Sequence, residues 1–222
     1  MNNTENIKEM ILHKYLNDDF TIDKTGSKTI ELIGTSFIAD AESMYGDPNL
    51  KYVHMELNWY TSKSLNVYDL EKVPQIWKNV ADKDGNINSN YGWCIYSSDN
   101  GSQYSNVTRE LKKNKNSRRA SMIYTRPTMH TDYNINGMSD FMCTNNVDYF
   151  IRDEKLHCVV KMRSNDLRFG YNNDLAWQQH VLSELRFDLL GTYPELTTGQ
   201  IIWQASSLHL YERDFDLIEV PE

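Results

Sequence analysis

Val147-Asp148-Tyr149-Phe150-Ile151 is a β-prone run. The polar turn Arg152-Asp153-Glu154-Lys155 follows it, and Leu156 to Met162 (LHCVVKM) then resumes apolar strand character. Two such runs about a short polar turn are a hairpin signal. Downstream, Leu175, Val181, Leu182, Leu185 and Leu189 recur at helical spacing, with Asp174 placed to cap the helix start, and Gln200 to Tyr211 returns to strand. Strand, strand, helix, strand is not the strict βαβ alternation of a parallel sheet. The pattern predicts an α+β fold with a large mixed, twisted sheet packed by helices.

The first half agrees. Ile7, Met10, Ile11 and Tyr15 predict an amphipathic first helix, and Lys28 to Gly34 predicts a strand after the turn Lys24-Thr25-Gly26-Ser27. Glu56 to Lys63 sits in the aromatic-rich stretch HMELNWYTSK, read as a buried helix. Ala120 to Thr125 reads as a strand ended by Arg126-Pro127. No repeat, linker or biased tract divides the chain, so one domain over residues 1–222 is expected.

Hydrophobic residues make up 40% and charged residues 24% of the 222, an ordinary globular balance rather than a disordered one. A formal charge of −8 argues against a surface that grips nucleic acid over its whole extent, but not against a small anion held by a few arginines. Cys94, Cys143 and Cys158 cannot all pair within one chain and lack zinc-site spacing, so no metal is expected. With no secretory leader and no apolar run longer than Trp93-Cys94-Ile95-Tyr96, a soluble cytoplasmic protein is expected.

Ser139-Asp140-Phe141-Met142-Cys143-Thr144-Asn145 sets a cysteine among polar groups ahead of a strand. Taken alone, such a thiol is more often an inert core residue. Arg163-Ser164-Asn165-Asp166 comes twenty residues after the cysteine and Asp174 thirty-one after it; Ser207-Leu208-His209-Leu210-Tyr211 lies further on. Upstream are Ser117-Arg118-Arg119 and Glu56.

These blocks, in this order, resemble the thymidylate synthase superfamily, and most closely its deoxycytidylate hydroxymethylase branch from T-even-type bacteriophages. The resemblance covers nearly the whole chain: Asp23-Lys24-Thr25-Gly26, Ile76-Trp77, Asn90-Tyr91-Gly92-Trp93, Ser117-Arg118-Arg119, MIYTRP (122–127), DFMCTN (140–145), RSND (163–166) and SLHLY (207–211). It implies a thymidylate synthase-like fold in which a sheet face forms a homodimer interface. It also implies conversion of dCMP, 5,10-methylenetetrahydrofolate and water to 5-hydroxymethyl-dCMP and tetrahydrofolate, supplying modified nucleotide for phage DNA. In that chemistry a thiolate adds reversibly to ring carbon 6 and turns carbon 5 into a nucleophile.

By the resemblance, Cys143 is that nucleophile, Glu56 the general base that organises water, and Tyr91 an active-site tyrosine. Arg163 and Ser164 bind the phosphate, and Lys24 stands where the synthases carry a phosphate-binding arginine. Arg118 and Arg119 reach into the partner subunit's site, whereas Lys112, Lys113 and Lys115 read as a solvated loop. His209 and Tyr211, alternating along a strand and so facing one side, match positions that hold the sugar hydroxyl; without the match they would read as core residues. Trp77, Asp166 and Gly170 match positions around the folate. Asp174 stands where uracil-specific relatives carry Asn: a carboxylate accepts from the cytosine amino group, while an Asn amide complements uracil. Thr144 after the cysteine, where synthases have His, favours the hydroxymethylase branch. The end at Glu222 falls short of the synthases' closing C-terminal segment. The competing expectations are a dUMP-specific hydroxymethylase or thymidylate synthase, and a catalytically silent nucleotide- or RNA-binding protein on the same fold.

Overall fold

The computed structural model describes residues 1–221, which fall into two compact units: Met1–Pro48 with residues 152–221, and Asn49–Ile151. In chain order the elements are β1 (Asn2–Asn3), α1 (Thr4–Leu16), β2 (Thr21–Ile22), β3 (Lys28–Ile38), α2 (Leu50–Ser62), α3 (Gln75–Val80) and α4 (Tyr91–Tyr96). They continue with α5 (Gln103–Lys113), β4 (Ser121–Ile123), α6 (Met129–Asp132), β5 (Thr144–Arg152), β6 (Lys155–Asp166), α7 (Gly170–Leu189) and β7 (Thr197–Tyr211).

The first unit is built on a mixed sheet. β3 runs antiparallel to β7 and β7 parallel to β6, while β1 and β2 both add to β3, one parallel and one antiparallel. Burial alternates along β6 and β7, as a sheet with one packed face requires. α1 begins with a capping box in which the Asn6 amide donates to Asn3 Oδ1 at 3.0 Å and the Asn3 amide to Asn6 Oδ1 at 3.2 Å. Its core stripe is narrower than the sequence spacing predicts: Ile7 and Ile11 are buried, while Met10 faces out. The turn between β5 and β6 falls where expected, with Asp153 and Glu154 both in the left-handed region at φ 49° and 54°. That backbone suits the twist of a two-residue hairpin turn.

Asp174 does not cap α7. The helix starts four residues earlier, at Gly170, so Asp174 lies inside it. The first amides find another carboxylate: those of Phe169 and Gly170 donate to Asp166 Oδ2 at 3.1 and 3.4 Å, and that of Arg168 to Oδ1 at 3.1 Å. The apolar spacing located the buried face, with Leu175, Val181, Leu182, Leu185 and Leu189 all buried. Its first turn carries few apolar residues, so periodicity missed the true start.

In the second unit β4 pairs antiparallel with β5, and α4 and α5 pack against β4. α2 starts six residues before Glu56, capped by Asn49, whose side chain accepts the Tyr52 amide at 3.1 Å. It ends at Lys63, at φ 62°. Lys112 and Lys113 belong to the last turn of α5 rather than to a loop; both are exposed. Cations there oppose the negative helix end.

Candidate active site

In the second unit, Glu56 and Tyr91 sit among packed aromatic rings, Trp59 against Tyr60 and Trp77, and Tyr60 against Tyr91. Asn90 is fully buried; its Nδ2 donates to the carbonyls of Trp59 (3.1 Å) and Ser64 (2.8 Å), and its Oδ1 caps α4 through the Trp93 amide (2.8 Å). One side chain thus ties the end of α2 to the start of α4, which fixes Tyr91. Tyr91 stacks on Tyr60 with ring centroids 5.1 Å apart. The contact needs Gly92, because a Cβ there would lie 1.8 Å from the Tyr60 carbonyl oxygen.

Glu56 is only 5% exposed. The Tyr52 hydroxyl, one helical turn before it, donates to Oε1, and the Trp77 indole N–H reaches the same oxygen at 3.1 Å. Trp77 also packs edge-on to Trp59 at 5.1 Å. Burial raises the Glu56 carboxyl from 4.5 to about 7, against the opposing pull of its Tyr52 and Trp77 donors. A carboxyl near 7 can hold or release a proton at working pH.

That shift has a cost in stability. Between about pH 4.5 and 7 the folded protein keeps a proton on Glu56 that the unfolded chain has lost, so stability falls as pH rises through that window. Glu56→Gln removes the dependence. Relative to wild type, the variant should gain up to about 3 kcal/mol between pH 5 and pH 8. Thermal melts at the two pH values measure the gain, and an unchanged gap between the proteins would refute it.

Cys143 lies just before β5 and is half-buried, its thiol 3.9 Å from the Phe141 carbonyl. Cys94 and Cys158 are buried, and burial raises both thiols, Cys94 to about 12. They are therefore poor nucleophiles beside Cys143. The segment before Cys143 is held by buried Asp140, which accepts the amides of Asn88 (2.7 Å) and Ser89 (2.8 Å) and the Ser89 hydroxyl (2.7 Å). Arg126 donates to Asn88 Oδ1 and Asp132 Oδ2, at 2.8 and 2.7 Å. The segments that lead into Tyr91 and Cys143 are thereby tied together.

Sequence reasoning missed Tyr52, Asn88, Asp140 and Arg126 as supports. Tyr52 was legible in principle, four residues before Glu56 on one helix face, but the predicted helix began too late to include it. Arg118 and Arg119 are exposed, Arg119 with its Nε 3.5 Å from Glu110.

In the first unit, Arg163, Ser164, Asn165 and Asp166 end β6. Register places Ser164 beside Ser207 and Asp166 beside His209 on β7, and His209 beside Glu31 on β3. Burial lowers the His209 pKa despite the pull of Asp166 and Glu31 on either side, which favours the neutral ring, a form with one donor and one acceptor nitrogen. Tyr211 meets His209 edge-to-face at 5.1 Å, both half-buried on the side the alternation predicts. Lys24 is exposed in the turn that Asp23 braces by accepting the amides of Thr25 (2.7 Å) and Ser27 (3.0 Å). Asp174 Oδ2 accepts from Asn165 Nδ2 at 2.8 Å. A Cβ on Gly170 would lie 3.2 Å from that same Nδ2 and 3.9 Å from Asp174 Oδ2, so glycine lets the start of α7 come close to this pair.

Among the described residues, no three His, Cys, Asp or Glu side chains are grouped to hold a metal ion, and no helix is long and apolar enough to cross a membrane.

The chain belongs to the thymidylate synthase family, whose model it matches over residues 6–220. Over 219 residues it is 52% identical to the deoxycytidylate 5-hydroxymethyltransferases of Enterobacteria phages T6 and T4, covering 96% of this chain and 89% of each relative. It is 25% identical to the thymidylate synthase of Francisella philomiragia, over 92% of this chain and 80% of that protein. The fold is shared with thermostable thymidylate synthase A from Bacillus subtilis: TM-score 0.69, 22% identity, 96% of this chain and 82% of that one.

Proposed function

We propose that this protein is a deoxycytidylate 5-hydroxymethyltransferase that takes dCMP, 5,10-methylenetetrahydrofolate and water to 5-hydroxymethyl-dCMP and tetrahydrofolate. The observation that carries the reading is the 52% identity, along nearly the whole chain, to phage enzymes bearing that name. In support, position 174 is an aspartate held as a hydrogen-bond acceptor by Asn165.

The Cys143 thiolate adds to carbon 6 of the cytosine and departs when the ring double bond reforms. Arg163, Ser164 and Lys24 hold the phosphate, with Arg118 and Arg119 supplied by the second subunit of a homodimer. His209 and Tyr211 hold the sugar hydroxyl. Asp174 accepts from the base amino group. Glu56, with Tyr52 and Trp77 as its donors, holds the water that becomes the product hydroxyl, and Tyr91 walls the reacting ring. Bound methylenetetrahydrofolate supplies the one-carbon unit. Trp77, Asp166 and Gly170 would hold it, the glycine presenting bare backbone. The whole chain serves as one catalytic domain in the cytoplasm of the infected bacterium, with no stable hold on nucleic acid.

The test is incubation with dCMP or dUMP plus methylenetetrahydrofolate, with both products identified by mass. Hydroxymethylated dCMP and tetrahydrofolate are expected. A methylated base with dihydrofolate would make the protein a synthase, and nucleotide binding without turnover would make it a binder only.

A further inference from the structure

Asn165 is the one residue of the RSND block to which the resemblance assigns no role, yet its setting is unusual. It is 3% exposed on β6, between buried Met162 and Leu167 and in register with buried Leu208 on β7. Its Nδ2 donates to Asp174 Oδ2 at 2.8 Å, while its Oδ1 is buried with no hydrogen-bond partner. An unpaired buried acceptor costs free energy, and an apolar side chain of similar size would avoid that cost. What the amide supplies and an apolar group cannot is a donor to Asp174.

From this geometry we infer that Asn165 is a positioning residue that sets base specificity by fixing the polarity of Asp174. An amide NH2 can only donate, so Asp174 Oδ2 is kept as a proton-free acceptor, and any proton shared with a base is confined to Oδ1. A carboxyl so ordered offers an acceptor on one oxygen and a shareable proton on the other, the complement of the amino group and ring nitrogen of cytosine. Uracil reverses both, offering a carbonyl and a ring N–H. Without Asn165 the carboxyl could turn over or protonate on either oxygen, and the order would be lost. The inference rests on the dCMP reading above and names a further residue that enforces it.

Calorimetric titration of the full-length protein with dCMP, dUMP and 2-deoxyribose 5-phosphate tests it in the wild type, Asn165→Leu and Asn165→Ser. Leucine keeps the bulk and removes the donor; serine keeps a shorter donor. In Asn165→Leu the dCMP-over-dUMP preference should fall by ~10-fold or more, the worth of one hydrogen bond to a charged group. Affinity for deoxyribose 5-phosphate, which has no base, should stay within about twofold, and Asn165→Ser should fall between leucine and wild type. If the leucine variant fails to fold, the serine variant carries the same comparison. A preference unchanged in the variants, or deoxyribose 5-phosphate binding lost in parallel with it, overturns the role of Asn165 while leaving the dCMP reading intact. A wild type that binds dCMP and dUMP equally overturns that reading, and this inference with it.

Discussion

Cys143→Ser is expected to lower dCMP turnover on the order of 10⁴-fold or more, while dCMP affinity stays within about threefold. The sulfur is half-buried beside the Phe141 carbonyl, in a segment that Asp140 holds by accepting two amides and a hydroxyl. A serine there keeps shape and backbone but has a hydroxyl that stays protonated at neutral pH, a far weaker nucleophile than a thiolate. Nucleotide affinity depends on phosphate, sugar and base contacts assigned to other residues, so it should survive. Single-turnover product analysis by mass, paired with calorimetric dCMP binding, checks both halves. Residual turnover above about 1% of wild type would be too much for a chain whose nucleophile had been removed. The opposite controls, Cys94→Ala and Cys158→Ala, remove buried thiols and should alter stability rather than chemistry.

Asp174→Asn should reverse the base preference, lowering kcat/KM for dCMP and raising it for dUMP, so that their ratio changes by ~10³-fold or more. The carboxylate has only acceptors to present beside a base amino group; the carboxamide adds an N–H2 and presents one donor and one acceptor. Asn165 can follow the change. Its Nδ2 faces Asp174 and its Oδ1 has no partner, so turning the amide over lets Oδ1 accept from the new N–H2. The same rearrangement pairs that oxygen but leaves Nδ2 unpaired in its place, so the pair keeps one hydrogen bond and the substitution should change the stability of the fold little. Steady-state kinetics with the two nucleotides, and a thermal melt, measure the expectation. A ratio that stays at the wild-type value would remove Asp174 from base recognition altogether.

Neither residue could be given its role from local pattern. Cys143, taken alone, read as an inert thiol, and only the resemblance carried by the surrounding blocks singles it out as the candidate nucleophile. Asp174 was legible as a base reader only through the resemblance; from local pattern alone it read as a helix cap. The structure gives the amides at that helix start to Asp166 instead. Periodicity marks which face of a helix is buried, because burial repeats every 3.6 residues, but it does not mark where a helix starts when the first turn is polar. Glu56 shows the same limit: its aromatic surroundings were visible, but the convergence of Tyr52 and Trp77 on one oxygen was not.

By itself, then, the sequence determined the class of fold, the buried faces of its strands and helices, and the inventory of groups able to do chemistry. Local alternation, spacing and residue type encode those properties within a few residues. Only the tertiary structure decided which donor meets which acceptor: Asn165 with Asp174, Trp77 and Tyr52 with Glu56, and Asp140 with the amides of Asn88 and Ser89. Except for Tyr52 and Glu56, these partners come from different segments. A hydrogen bond depends on ångström-scale distance and on direction, and both are set by packing the elements together rather than by any local run of residues.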